Sequence, residues 1–251
     1  MKKESLAGAG GYAIPCAHTL TGTEKMALIV SHGFGSSKES STALMLMQKL
    51  PAQGIGVAAY DFPAHGESPV GGEQLTVDRC LSDLAAVERY VRSAAPGAEI
   101  GYFGSSFGAY ITLLYLAGCP HAGKKAFLRS AAVEMPLLFR HKTPGQEEAL
   151  ARQGFVEFGA QFGYARPLKL TPAFFDSLDA HDVFAQWRQG AGELCMIHGD
   201  ADQVASYAAA QRFAAQSGAQ LLTVAGGDHR LSIPGAPEKV AEAAAAFFLR
   251  G

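Results

Sequence analysis

Long hydrophobic runs are missing from this 251-residue chain. The most extended uninterrupted apolar stretch, residues 243–249, falls far short of the roughly 18 residues that a bilayer span requires. No membrane span is therefore expected. Charge is sparse at 18% of residues and neither sign dominates, with 21 Lys+Arg against 23 Asp+Glu and a formal net charge of −2. A polyanion binder needs a cationic face, so no nucleic-acid partner is expected. Cysteines number only four, and Cys16, Cys80, Cys119 and Cys195 are scattered, with no Cys-x-x-Cys pair to suggest a zinc site. The basic start Met1-Lys2-Lys3 leads into Glu4-Ser5 and a small, Gly-rich stretch rather than an apolar core. A secretory signal is thus not expected, and the thiols read as reduced groups of a cytoplasmic protein. No His/Cys/carboxylate set has metal-ligand spacing and no Gly-rich phosphate loop follows the first clear strand, so no metal and no cofactor are expected.

Apolar material is abundant at 48%, enough for a substantial core, and glycine is frequent at 29 residues. Short apolar runs at residues 27–30, 55–60, 100–103, 126–128, 194–197 and 221–224 read as buried strands. Helical patterns separate them. In one, Val77, Leu81, Leu84, Val87 and Val91 recur at steps of three and four; in another, residues 111–116 run toward Gly118 as a terminator. The last helix begins near Pro237. Strands alternating with helices of this length imply an α/β fold, a mostly parallel central sheet flanked by helices. Residues 5–20 could add one or two antiparallel edge strands.

One stretch breaks the alternation. Over 60 residues separate Ser130 from Glu193, too many for a single crossover, and nine aromatics fall within residues 131–190: Phe139, Phe155, Phe158, Phe162, Tyr164, Phe174, Phe175, Phe184 and Trp187. Residues 1–130 and 191–251 are expected to form the core, and 131–190 an inserted cap over the functional edge of the sheet. Within it, Thr171-Pro172 reads as the cap and first turn of a helix, while residues 155–170 fit either a hairpin or an irregular helix.

Gly104-Ser105-Ser106-Phe107-Gly108 follows an expected strand and opens an expected helix. It matches Gly-x-Ser-x-Gly, the turn that projects a serine hydroxyl above a sheet beside a helix N-terminus. Ser106 is the candidate nucleophile. Ser105 is a rival, but centring the motif there would put Phe103 and Phe107 where only small residues fit. In this architecture an acid and then a histidine follow the serine in chain order. Of eight histidines only His229, in the loop after the last strand, lies beyond the acid candidates. Those candidates, Asp200 and Asp202, share the loop that leaves residues 194–197. An acyl-transfer site also needs two N–H donors for the tetrahedral oxygen. The residue after the nucleophile, Phe107, is one candidate; Phe34, in His32-Gly33-Phe34-Gly35, is the other.

These loops, together with Asp61-Phe62-Pro63-Ala64-His65-Gly66-Glu67-Ser68, His198-Gly199-Asp200-Ala201-Asp202-Gln203-Val204 and Gly227-Asp228-His229, resemble in order the signature loops of the α/β-hydrolase superfamily. The resemblance implies that Asp202 is the acid and that His65 belongs to a structural turn. Arg166-Pro167-Leu168-Lys169-Leu170-Thr171 and Phe174-Phe175-Asp176 look similar to the short cap of small bacterial cinnamoyl/feruloyl-type esterases. Ser105, Phe107 and Ala205 depart from the His, the polar or small residue, and the Pro common there. The expected activity is hydrolysis of a small apolar or aromatic ester, hydroxycinnamoyl among them, by Ser106, His229 and Asp202 through an acyl-enzyme. A thioesterase, monoacylglycerol lipase or acyl peptidase with the same triad, or a non-catalytic binding relative, are the alternatives. A homodimer is compatible with the sequence.

Overall fold

The computed structural model describes residues 1–159, 163–164 and 166–250. Eight strands form one sheet: β1 (Lys2–Ala7), β2 (Ala13–His18), β3 (Met26–Ser31), β4 (Ile55–Tyr60), β5 (Glu99–Ser105), β6 (Lys125–Arg129), and, after the 131–190 segment, β9 (Glu193–Gly199) and β10 (Gln220–Val224). Their spatial order is β1-β2-β4-β3-β5-β6-β9-β10. The last six are parallel; β1 and β2 join antiparallel. Every residue of β3 and β4 is buried, which is why these strands read as continuous apolar runs rather than as alternation.

Helices cover both faces. On one side α2 (Val77–Ala94), α3 (Phe107–Gly118) and α8 (Tyr207–Ser217) contribute Leu84, Val87, Ile111 and Phe213 to a common core. On the other, α1 (Ser41–Lys49) and α9 (Ala236–Phe248) contribute Leu46, Met47, Val240 and Phe248. Helix α2 starts where Thr76 accepts the Arg79 N–H, an N-cap that satisfies one of the helix's orphan donors. Helix α3 is buried from Phe107 to Leu116. The helix ends at Gly118 as expected, though not through a left-handed glycine turn: Gly118 is the last helical residue, and the chain leaves through an extended Cys119, φ −109°. Pro120 follows, and a proline biases its predecessor away from the helical region.

Strand β3 is flanked by β4 on one side and β5 on the other, so the chain winds in opposite directions from it across the sheet. Ligands in open α/β sheets bind at such a switch point, beyond the carboxyl ends of the strands. The loops after β3 and β5 meet there.

Residues 131–190 lie between the neighbouring strands β6 and β9. They hold α4 (Met135–Arg140), α5 (Pro144–Gln153), the antiparallel pair β7 (Val156–Phe158) and β8 (Leu168–Leu170), α6 (Pro172–Asp179) and α7 (Val183–Gln186). Thr171 and Pro172 do open α6, although Thr171 Oγ1 is buried without a partner. Of the nine aromatics, Phe162 lies outside the described residues. The segment is tied to the core at separate points. Arg166 donates to the carbonyls of Ser68 at 2.6 Å and Val70 at 3.1 Å; Val77 N–H donates to Ser177 Oγ; the Tyr110 hydroxyl donates to His181 O. Among the described residues no helix is long and apolar enough to cross a membrane, and no cluster of three or more His, Cys, Asp or Glu is placed to hold a metal ion.

Candidate active site

Ser106 sits between β5 and α3 with φ +52° and ψ −112°, a conformation that costs a non-glycine residue of order 1–3 kcal/mol. The surroundings enforce it. Its N–H donates to Arg129 O, and its carbonyl accepts from Ala109 and Tyr110 N–H. The turn tolerates nothing larger than glycine on either side: a Cβ on Gly104 would lie 2.5 Å from Ala109 Cα, and one on Gly108 would lie 2.1 Å from Ser31 O. Ser105 ends β5 with its side chain mostly buried.

The His229 ring bridges the expected partners. Nε2 lies 2.9 Å from Ser106 Oγ and Nδ1 lies 2.8 Å from Asp202 Oδ2. A carboxylate at Nδ1 fixes the proton there, leaving Nε2 to accept from the serine hydroxyl. The loop that carries His229 is clamped. The Asp200 carboxylate accepts the Gly226 N–H at 2.6 Å, and the Arg129 guanidinium donates to Arg230 O. A Cβ on Gly199 would lie 2.0 Å from Gly227 O, so the two loops touch through bare backbone. Of the two acid candidates, then, Asp202 faces the imidazole and Asp200 pins its loop.

Asp202 is buried and fully engaged. Oδ1 accepts the Val204 and Ala205 N–H groups at 2.8 and 2.9 Å. Oδ2 accepts from His229 and also lies 3.0 Å from His198 Nε2. Burial alone would raise its pKa. The hydrogen bonds from His198 and His229 outweigh burial and hold the carboxyl well below the usual carboxylate range. His198 is thus part of the site, although sequence order removes it as a base. Its spacing of four residues before Asp202 is the one signal the sequence offers.

Phe34 and Phe107 flank the serine with their backbones and turn their rings inward. Phe107 is the first residue of α3, so its N–H has no acceptor inside the helix. Its ring is fully buried and meets Phe34 edge-on at 5.4 Å. A Cβ on Gly33 would lie 3.6 Å from Ser106 Cβ, which places the loop of Phe34 directly beside the Ser106 turn.

That loop rests on two buried histidines. His32 Nδ1 donates to Gly33 O and Nε2 accepts the Phe62 N–H; His65 Nδ1 donates to Pro63 O. Burial keeps both rings neutral, lowering His32 to about 4 and His65 to about 3, the latter with help from His32 beside it. Beneath, the buried Lys38 ammonium is paired with Asp61 at 3.0 Å and Glu67 at 2.6 Å.

The two histidines make stability pH-dependent. Their native pKa values lie below the unfolded value near 6.5, so the unfolded chain takes up protons first as pH falls. Their contribution is complete above pH 6.5. It is lost at about 1.4 kcal/mol per pH unit for each ring on going down toward 4 and 3. Asp83 works the other way, because burial raises its carboxyl to about 6 and the native state binds that proton first. From pH 7 to 5 the net loss is expected to be about 2–3 kcal/mol, read from urea unfolding midpoints. His65→Asn, which retains a donor toward Pro63 O, should flatten the profile; equal stability at the two pH values would contradict the assignment.

A cavity of about 310 Å³ opens over Ser106 and His229, with Phe34, Tyr164, Arg129, Arg230, Ser41 and Thr42 in its walls. Of the described aromatics of 131–190, Tyr164 alone lines it; Phe174, for example, packs against Phe34 and Phe139 instead. A larger surface hollow, about 1300 Å³, lies at the opposite end of the sheet, where β5, β6 and β9 begin, away from Ser106 and His229.

A family model, Hydrolase_4, described as serine aminopeptidase, S33, matches residues 22–158, just over half of the chain. A search of curated proteins returned no match. Solved structures align along nearly the whole length. A protein of Agrobacterium vitis S4, provisionally described as a hydrolase, has a TM-score of 0.83 and 21% identity over 98% of this chain and 97% of its own. The esterase Est1E of Butyrivibrio proteoclasticus, solved with ferulic acid bound, has a TM-score of 0.83 and 20% identity over 98% of both chains. Mouse alpha/beta hydrolase domain-containing protein 10 has a TM-score of 0.80 and 13% identity over 99% of this chain and 98% of its own. Identities this low speak to the fold alone, which is that of the α/β hydrolases.

Proposed function

The chain belongs to the Hydrolase_4 family of α/β-hydrolase serine hydrolases, and on that premise we propose that it hydrolyses small carboxylic esters through Ser106, His229 and Asp202. The observation that carries this reading is the continuous relay from Ser106 Oγ to His229 Nε2 at 2.9 Å and from His229 Nδ1 to Asp202 Oδ2 at 2.8 Å. His229 takes the hydroxyl proton as Oγ attacks the ester carbonyl. The Phe34 and Phe107 N–H groups receive the tetrahedral oxyanion. His229 then gives its proton to the departing alcohol, leaving an acyl-enzyme on Ser106. A water activated by the same imidazole cleaves it and restores the serine. Asp202 keeps the ring in the productive tautomer and balances the imidazolium.

Residues 131–190 act as the cap, with Arg166 fastening it to the 66–70 loop. The walls of the cavity favour a modest acyl or alcohol group with an aromatic face against Phe34 and Tyr164. A hydroxycinnamoyl group is the finest form of that reading, and the ferulic acid bound to Est1E is consistent with it. The polar remainder of the walls makes a long alkyl chain a poor fit. An aminopeptidase substrate is disfavoured, because a free α-ammonium would meet Arg129 and Arg230 with no Asp or Glu among the residues lining the cavity.

A fluorophosphonate probe tests the reading. It should label Ser106 in the folded protein, and labelling should abolish turnover of p-nitrophenyl acetate in proportion. Modification elsewhere with Ser106 untouched, or full activity after labelling, would refute it. Thioester and anilide analogues of the same acyl group should be cleaved less well than the ester.

A further inference from the structure

We propose that the ester this cavity accepts carries a free anionic group, of carboxylate size, that is bound by Arg230 together with Arg129. The inference rests on the catalytic reading above and names the substrate class of the same site. Arg129 and Arg230 both line the cavity that contains Ser106 and His229, and none of the residues lining it is acidic. Two other cations of the chain do have carboxylates: Lys38 has Asp61 and Glu67, and Arg212 has Glu134 at 2.6 Å. Among the described residues no carboxylate lies within ion-pair distance of Arg129 or Arg230. The two acids whose field Arg129 feels, Asp228 and Asp202, are committed elsewhere. Asp228 accepts from the Ser232 N–H and hydroxyl, and Asp202 accepts from His198, His229, Val204 and Ala205.

Taking a guanidinium out of water without a counter-charge is costly. Arg129 is half-buried, and a single contact to Arg230 O, through Nη2, occupies one of its five N–H donors. The remaining donors of Arg129 and those of the exposed Arg230 suit a planar carboxylate, which takes two parallel N–H···O bonds from a guanidinium. Ser41 and Thr42 also line the cavity. Arg230 is joined directly to His229, so an anion seated on it lies within one substrate length of Ser106.

The carboxylate can belong to the acyl part or to the alcohol part, and two pairs of substrates separate these. p-Nitrophenyl succinate against p-nitrophenyl butyrate places it on the acyl side; 3-acetoxybenzoate against phenyl acetate places it on the alcohol side. In the wild-type enzyme kcat/KM for the anionic member should exceed that of its neutral mate by about tenfold in one pair. Arg230→Gln should cut that ratio by about tenfold, Arg230→Lys should restore part of it, and 0.5 M NaCl should reduce it through screening. Arg230 is exposed, so these variants are expected to fold. Ratios at or below one in both pairs, or a ratio that Arg230→Gln leaves within twofold of wild type, would overturn the proposal. Should none of the four esters turn over, protection of Ser106 from the fluorophosphonate decides the matter. Benzoate should slow labelling more than benzamide does, and should lose that advantage in Arg230→Gln; equal protection would refute it. Hydrolysis that survives Ser106→Ala would instead refute the catalytic reading, whereas Ser106-dependent hydrolysis without charge preference would refute this inference alone.

Discussion

Ser106→Ala is expected to lower kcat for p-nitrophenyl acetate by about 10⁶-fold, the loss typical of deleting the nucleophile from a serine relay. In free energy that is about 8 kcal/mol of barrier. The substitution removes one atom, whose hydrogen-bond partner is His229 Nε2, and it leaves the turn intact. The left-handed backbone is held by Gly104, Gly108 and the bond to Arg129 O, and alanine meets the same strain that serine already bears. Thermal unfolding should therefore move by no more than a degree or two, so that lost activity is not lost fold. Ser105 offers no substitute, because it ends β5 with its side chain mostly buried. Residual hydrolysis should still exceed the rate in water by about 10³-fold, from the Phe34 and Phe107 N–H groups and from binding. A variant with a tenth of wild-type turnover or more would exclude Ser106 as the nucleophile.

Much of this arrangement is legible in the order of the amino acids. Strands buried on both faces, β3 and β4 above all, announce themselves as unbroken apolar runs. Once the order of strands and helices is read, each loop at their carboxyl ends has a place. Ser106, Asp202 and His229 are far apart in sequence, yet the fold order alone puts their loops on one edge. Other features carry no such pattern. The edge strand β1, Lys2–Ala7, has four exposed residues at its start, and its backbone pairs with β2 whatever those side chains are. Strands β7 and β8 have three residues each, too few for an alternation to register. The aromatics of 131–190 signal a packed insertion but not its inner face: Tyr164 reaches the cavity, whereas Phe184 and Trp187 pack against Phe213 of α8. Arg129 and Arg230 stand 101 positions apart and meet only because β6 and the loop after β10 end on the same edge of the sheet. Charged residues at two loop ends look like solvated ones until the fold sets them around a cavity.

Asp202→Asn should cost about 10⁴-fold in kcat, less than loss of the serine but by a mechanism that the hydrogen bonds specify. Oδ1 is held by two backbone donors, the Val204 and Ala205 N–H groups. Those donors will keep the amide oxygen of the asparagine on their side. The amide NH₂ must then take the place of Oδ2, where it faces His229 Nδ1 and His198 Nε2. An N–H group at that position requires Nδ1 of His229 to accept, which moves the ring proton to Nε2, and that nitrogen can no longer take the proton of Ser106. His198 keeps one acceptor in Ala205 O, 3.1 Å from its Nε2, so the loop survives. Raising the pH should recover little activity, because the defect is the wrong tautomer rather than an unfavourable protonation state. In the proposed mechanism Asp202 acts only through His229, so Ser106→Ala/Asp202→Asn should be no slower than Ser106→Ala alone. Additive losses in the double variant would mean that Asp202 acts on the substrate by some route other than the imidazole. Full activity in Asp202→Asn would mean that His229 is oriented by something else.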